Sequence, residues 1–397
     1  MKGKLTVLMI TAFVDMLGLA MIIPLLPFYA TKLGASATTV GVLIAAFSIA
    51  QLASAPLWGR FSDRYGRRPA LLAGLLVSAV AYVIFAYAST LWLLLLSRVV
   101  QGLGGGTIGV VQAYVADASD PKDRAKSLGW LSAATSFGAV VGPAIGSALI
   151  HWGRHAPGIA SAIFCVLISI FAGIYLRESR EESLSSGEHE ILAETGSGAV
   201  WSVISRPREP AQRLIWIYAI AIGAFYGTAP TLPLILAHRL PITEANVGFF
   251  VMYLGGMGVF VRAGLLGRMI EWLGEARLTR LGLVLLAAGL ALIAAVHSYG
   301  TLLVALTLMP LGTAFVFPCV TAMLSRVVPA RNRGLYMGVQ HTFGGVSRVL
   351  FPLTAGVAMD HLGLGFPFVI AGVLVLSTLL LTTSMEDYAA SRAPSMT

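Results

Sequence analysis

Apolar residues run along this chain in long blocks, and polar residues interrupt them at short intervals. Leu5 to Tyr29 carries a single charge, Asp15, while Pro69 to Ser97 and Gly158 to Leu176 carry none. A helical block of about 20 apolar residues crosses a ~30 Å hydrocarbon core. Read this way, the pattern predicts twelve transmembrane helices, near 5–29, 39–61, 69–88, 91–117, 127–150, 158–176, 213–237, 246–270, 277–297, 299–325, 334–358 and 364–384. The predicted fold class is therefore an all-α polytopic membrane protein. Its opening run is span-length and passes into Pro24, Pro27 and Tyr29 without a small-residue cleavage site, so it reads as a retained first helix.

Composition agrees with the pattern. Hydrophobic residues make up 57% of the 397 and charged residues 11%, against about 25% charged in soluble domains. Most of the 27 Lys and Arg fall in the N-terminal segment, the even-numbered loops and the tail. The odd-numbered loops hold Lys32, Arg154 and Arg239, and Arg98, Arg262 and Arg348 lie within predicted helices. This bias predicts both termini in the cytoplasm. The same distribution accounts for the net charge of +9, so no nucleic-acid partner is expected. Cys165 and Cys319 lie inside predicted spans and read as packing residues. The sequence offers no metal-ligand cluster, nucleophile elbow or phosphate-binding loop, so neither an enzyme nor a metal or cofactor is expected.

Sliding the chain against itself brings punctuation residues into an ordered register. Pro24 and Pro27 meet Pro230 and Pro233, Gly59 and Gly66 meet Gly267 and Gly274, and Arg124, Gly129 and Pro143 meet Arg333, Gly338 and Pro352. The expected organisation is an N-terminal six-helix bundle over 1–176, a cytoplasmic linker over 177–211 with a short surface helix, a C-terminal six-helix bundle over 212–384 and a cytoplasmic tail over 385–397. Six helices per half give both halves the same orientation. Parallel repeats of this kind place a substrate site at their interface, near the bilayer midplane.

Two stretches carry more specific chemistry. After the second helix comes Gly59-Arg60-Phe61-Ser62-Asp63-Arg64-Tyr65-Gly66-Arg67-Arg68, read as a tight basic loop presenting a fixed carboxylate. The fourth helix carries Arg98-Val99-Val100-Gln101-Gly102-Leu103-Gly104. Both resemble signatures of the major facilitator superfamily. The resemblance implies a cytoplasmic gate in which Asp63 caps the start of the eleventh helix near Gly334 and Arg67 reaches Asp117, with Gly59, Arg64, Gly66 and Arg68 completing the motif. Positive-inside decoration is the plainer reading of the same basic residues. The second-half copy, Gly267 to Glu275, keeps an acid at Glu271 and lacks the basic pair, so a weaker latch is expected there.

An arginine ~10 Å into the membrane, as Arg98 is, costs at least ~2.5 kcal/mol unless paired or hydrated. Asp15, near mid-depth in the first helix, is its expected partner. Desolvation disfavours the charged carboxylate and a neighbouring arginine favours it, a balance that suits a proton carrier. A fixed structural ion pair is the alternative. The fifth helix supplies Gly138, Gly142-Pro143 and Gly146-Ser147, similar to the signature of proton-driven antiporters except that Ser147 stands where a glycine is usual. Its glycines form one face for close packing, and Pro143 permits bending.

With Asp15, Gly18, Pro24 and Pro27, these motifs resemble the 12-span drug:proton antiporter branch, which includes tetracycline and multidrug exporters. The third and ninth helices lack the acidic residues that the tetracycline exporters lead one to expect, so tetracycline is not the favoured substrate.

Substrate-cavity candidates are Gln112, Phe225, Tyr226, Tyr253, His341 and Arg348. His341 and Arg348 lie two turns apart and share a helix face; helix packing for His341 and snorkelling for Arg262 are the plainer readings. Arginines outnumber carboxylates, which favours neutral, zwitterionic or anionic amphiphiles over dications. The expectation is a monomeric exporter in the bacterial cytoplasmic membrane, with both termini inside, driven by protons and needing no cofactor. The alternatives are a transporter of a defined metabolite such as a sugar, siderophore or organic acid, and a non-transporting membrane receptor.

Overall fold

The computed structural model describes residues 2–120, 122–176, 198–383 and 385. Among them there is no strand. Eleven helices are long and apolar enough to span a membrane. These are α1 Leu5–Lys32, α2 Ala37–Tyr65, α3 Arg67–Ala86, α4 Leu91–Asp117, α5 Arg124–Trp152, α6 Ala156–Tyr175, α7 Pro210–Arg239, α8 Val247–Gly264, α9 Leu266–Ala294, α10 Tyr299–Val327 and α11 Arg333–Leu362; a shorter apolar run, Phe366–Thr382, forms α12.

Helix ends follow local chemistry. Ser36, Thr90 and Ser298 cap α2, α4 and α10, each hydroxyl accepting a backbone N–H of the first turn. Pro157, Pro210 and Pro367 occupy the first turns of α6, α7 and α12, where a missing N–H is harmless. Inside α1 the regular helix stops at Ile22 and resumes at Leu26, because Pro24 cannot donate to the ladder.

The chain divides into two compact units, Met1–Ser183 with Leu236–Gly255, and Leu184–Ile235 with Gly256–Thr397. In the first, Leu8, Leu71, Tyr114, Val115 and Ile168 join α1, α3, α4 and α6 in one buried cluster. In the second, Leu283, Leu286, Met309, Phe315 and Phe368 are buried between α9, α10 and α12. Outward stripes are apolar too: Leu76, Val80 and Val83 on α3, and Ile163, Leu167, Ile170 and Ile174 on α6, are exposed at helical spacing, as lipid-facing helix surfaces are. Cys165 and Cys319 are buried free thiols.

The predicted linker lies outside the described residues as far as 197. Residues 198–205 are helical, and the Trp216 indole N–H donates to Val203 O at 3.0 Å. The predicted tail, 385–397, lies outside the described residues apart from 385.

The stretch expected as a loop after the second helix is helical instead. Gly59 to Tyr65 is the last part of α2, Arg67 begins α3, and Gly66 alone (φ 102°, ψ 161°) turns the chain. Gly274 adopts the same conformation (φ 73°, ψ 161°) within α9. These positive-φ positions demand glycine.

Candidate functional site

Asp15 lies in the wall of a cavity of about 610 Å³ within the first unit. Four helices build it. Thr11, Ala12, Asp15 and Met16 come from α1, Leu71 from α3, Ile108, Gln112 and Ala116 from α4, and Leu128, Leu131, Ser132 and Thr135 from α5. The side chains recur at three- and four-residue intervals, the spacing of one helix face. Most are apolar, with a few convergent polar groups, as in small-molecule sites generally. Thr11 donates to Val7 O at 2.8 Å and Thr135 to Ser132 O at 2.9 Å, so each hydroxyl oxygen remains an acceptor toward the cavity. Asp15, singled out for proton coupling, and Gln112, singled out for the substrate cavity, line the same cavity. Thr11, Ser132 and Thr135 were missed, although their offsets of three or four residues from other lining positions carried the signal.

The expected Asp15–Arg98 pair does not form. Among the described residues neither side chain makes an ion pair or hydrogen bond. Arg98 is 2% exposed, its Nε and Nη2 are buried without partners, and its guanidinium stacks over the Phe85 ring at 5.4 Å. Depth explains the separation. Ile108, where the cavity-lining part of α4 begins, is about 15 Å further along the helix at 1.5 Å per residue.

The glycine face of α5 packs on α1, the helix that carries Asp15. A Cβ at Gly138 would lie 2.5 Å from Phe13 O, at Gly142 2.8 Å from Leu17 O, and at Gly146 2.4 Å from Met21 O. These approaches exclude any side chain. Pro143 lies inside the helix, and its carbonyl abuts Gly248 of α8, where a Cβ would stand 1.8 Å away. Ser147, the departure from the expected glycine, has a role there. Its hydroxyl donates to Glu244 O at 2.6 Å and accepts from Gly248 N at 2.9 Å. The latter is a first-turn N–H of α8 that has no partner in its own helix. Lys32 and Glu244 form an ion pair beside it, and Arg154 stacks over the Tyr29 ring at 5.0 Å.

At the opposite end of the first unit, Arg67 joins three helices. It meets Asp63 of α2 at 2.7 Å and Asp117 of α4 at 3.1 Å, and donates to Ser62 Oγ at 3.0 Å. Arg68 reaches Gly173 O on α6. Arg64 lies over its neighbour Tyr65 at 5.4 Å, and a Cβ on Gly59 would meet nothing within 4 Å among the described residues.

The second half, where a weaker latch on Glu271 was expected, carries an ion pair at a different acid. Glu275, one residue past the turning Gly274, pairs with Arg326 of α10. Arg67 and Asp117 occupy the corresponding places in the first half, so the charges are exchanged. Glu275 is 9% exposed against 45% for the Asp117 side chain, while Arg326 is 44% exposed against 23% for Arg67, so the second pair buries its acid and the first its base.

In the second unit α7 passes through a π turn at Gly223–Gly227. Phe351 fills the space that side chains on Gly223 and Gly227 would need: its ring lies 2.3 Å from a Cβ at Gly223, and its own Cβ 2.3 Å from one at Gly227. Phe225 is buried and Tyr226 is 46% exposed. The rings of Tyr226 and Phe317 lie nearly parallel, 6.3 Å apart at 19°, and Tyr218 meets Phe317 at 5.5 Å and His341 at 6.2 Å. Arg348 acts electrostatically on both Tyr218 and His341. Tyr253 falls in the first unit.

The Major Facilitator Superfamily model matches residues 8–280 and 263–396. The chain belongs to that superfamily. It is a membrane-embedded transporter acting on small-molecule substrates. It is similar to Multidrug resistance protein 1 of Bacillus subtilis (strain 168), 29% identical over 96% of each chain. It is also similar to Tetracycline resistance protein, class B, of Escherichia coli, 27% identical over 97% of this chain and 98% of the other. Quinolone resistance protein NorA of Staphylococcus aureus (strain MRSA252) is 24% identical over 91% of each. The fold is shared with a POT family transporter solved with 5-aminolevulinic acid, with a TM-score of 0.79 at 14% identity over 97% of this chain and 96% of the other.

Proposed function

We propose that this superfamily member is a proton-coupled exporter of small amphiphilic molecules, working by alternating access. The observation that carries the reading is Asp15, set in the wall of the first-unit cavity beside Gln112 with no cation to neutralise it among the described residues. A carboxyl group so placed exchanges its proton with whichever side the cavity opens to, and substrate and proton then compete for one space. Arg98 belongs to the same machinery at one remove, as a buried cation nearer the start of α4 whose Nε and Nη2 have no hydrogen-bond partner among the described residues. The Arg67 cluster and the α5 glycine face supply the gate and the bending surface. Resistance proteins for several drugs among the relatives support export. In this reading both termini are cytoplasmic, the membrane is the bacterial inner membrane, the working unit is a monomer, and the proton gradient replaces any cofactor.

The test is purified protein in liposomes with an imposed pH gradient and a panel of amphiphilic dyes. Wild type accumulates at least one dye only while the gradient lasts, and Asp15→Asn does not. Accumulation by Asp15→Asn equal to wild type overturns proton coupling through this residue.

A further inference from the structure

We infer that the second unit carries a half-site for planar aromatic anions, with Tyr226 and Phe317 as the stacking surface and Arg348 as the principal countercharge. The inference deepens the exporter reading and rests on it for the direction of transport, but binding itself is measurable without any gradient.

Three observations converge. The first is shape: the Tyr226 and Phe317 rings are nearly parallel, 19° apart with centroids 6.3 Å apart, and Tyr218 is edge-on to Phe317 at 60°. Offset stacking on such a shelf favours a flat ring system over a branched aliphatic one. The π turn at Gly223–Gly227 presents Tyr226 there, leaving its ring 46% exposed while Phe225 packs away.

The second is charge. The His341 ring meets Tyr218 at 6.2 Å, and Arg348 follows His341 by two turns on the same face of α11, which sets its charge near both rings; Arg262 adds to the field at Tyr218. On the helices that supply the shelf, α7 has no acidic residue, α10 has none, and α11 has Asp360 alone, about 18 Å beyond Arg348 at helical rise. α8, which carries Arg262, has none either. On α9 are Glu271 and Glu275, near its start, and Glu275 is engaged by Arg326.

The third is discrimination. An aromatic cation gains attraction to ring faces, yet here it must approach two arginines that form no ion pair among the described residues. A carboxylate or sulfonate on the ring instead finds a guanidinium suited to two parallel hydrogen bonds. Export of such an anion in exchange for a proton moves positive charge inward in both half-reactions, so an inside-negative potential drives it.

The test uses the full chain in nanodiscs and three probes that share one ring system: 2-naphthoate, 2-naphthalenemethanol and 2-naphthylmethylammonium. Wild type is expected to bind naphthoate at least tenfold more tightly than the ammonium probe. Arg348→Gln brings the two within about threefold while leaving the alcohol unchanged, Arg348→Lys keeps most of the preference, and Phe317→Ala weakens all three alike. An ammonium probe bound as tightly as naphthoate by wild type overturns the inference without recourse to any variant, and so does a failure of all three to bind. A preference unmoved in both Arg348→Gln and Arg262→Gln also overturns it. If the preference stands while no pH gradient drives naphthoate across liposomes, the exporter reading fails and the half-site does not.

Discussion

Asp15 and Ser147 are single residues whose surroundings give them work that their types alone do not specify. Asp15 was legible in the sequence because a lone carboxylate deep in an apolar span stands out. That Arg98 does not pair with it was not, because a helix apolar on nearly all sides carries little periodic signal to set its rotation. Ser147 was visible only as a departure from a glycine pattern; its use appears once Glu244 O and Gly248 N are found on its hydroxyl. Ser147→Ala removes both bonds in a buried setting, at about 1–3 kcal/mol. A cysteine placed at Glu244 is expected to label several-fold faster with a membrane-impermeant thiol reagent in the Ser147→Ala background than in the wild-type background. Equal labelling rates contradict a clasping role for this hydroxyl.

Element by element, the repeat detected in the sequence reappears in the backbone. Gly66 and Gly274 share one positive-φ turn, Gly153 and Gly363 another, and Thr90 and Ser298 cap corresponding helices. Turn and cap residues are locally determined, which is why they could be read without a structure. The exchanged ion pair could not, since Glu275 and Arg326 are distant in sequence and neither falls at the acidic position of the first-half motif. The burial difference makes a prediction. Arg326→Ala strands a carboxylate that is 9% exposed, and breaking such a pair costs about 3 kcal/mol. Asp117→Ala removes a carboxylate that is 45% exposed and leaves Arg67 paired with Asp63, and costs under about 1 kcal/mol. Thermal unfolding in detergent should rank them in that order, and the reverse order refutes the account of the second latch. Likewise Gly142→Val drives a side chain into Leu17 O and Ala20, overpacking at about 1–3 kcal/mol. It should lower the melting temperature and slow transport, whereas an unchanged melting temperature would mean that α1 and α5 separate easily.

At the scale of the whole molecule, helix order and membrane character followed from hydrophobic block length, which is fixed by bilayer thickness; against the twelve spans expected, the described residues hold eleven helices of span length and the shorter α12. The candidate site followed less fully, because the cavity is assembled from faces of four helices and only Asp15 and Gln112 of its polar lining had been singled out. Charge is divided between the units in a way that gives each a task. The first unit holds a carboxyl group in a cavity, and the second holds arginines beside aromatic rings. Proton handling by Asp15 is the claim on which the rest depends. The most direct measurement is substrate-evoked proton movement in liposomes loaded with a pH-sensitive dye, using wild type and Asp15→Asn side by side. Wild type should move protons against the direction of substrate flow as soon as a transported substrate is added, and Asp15→Asn should not. Substrate flux without proton movement in wild type, or equal proton movement in both proteins, would contradict the account.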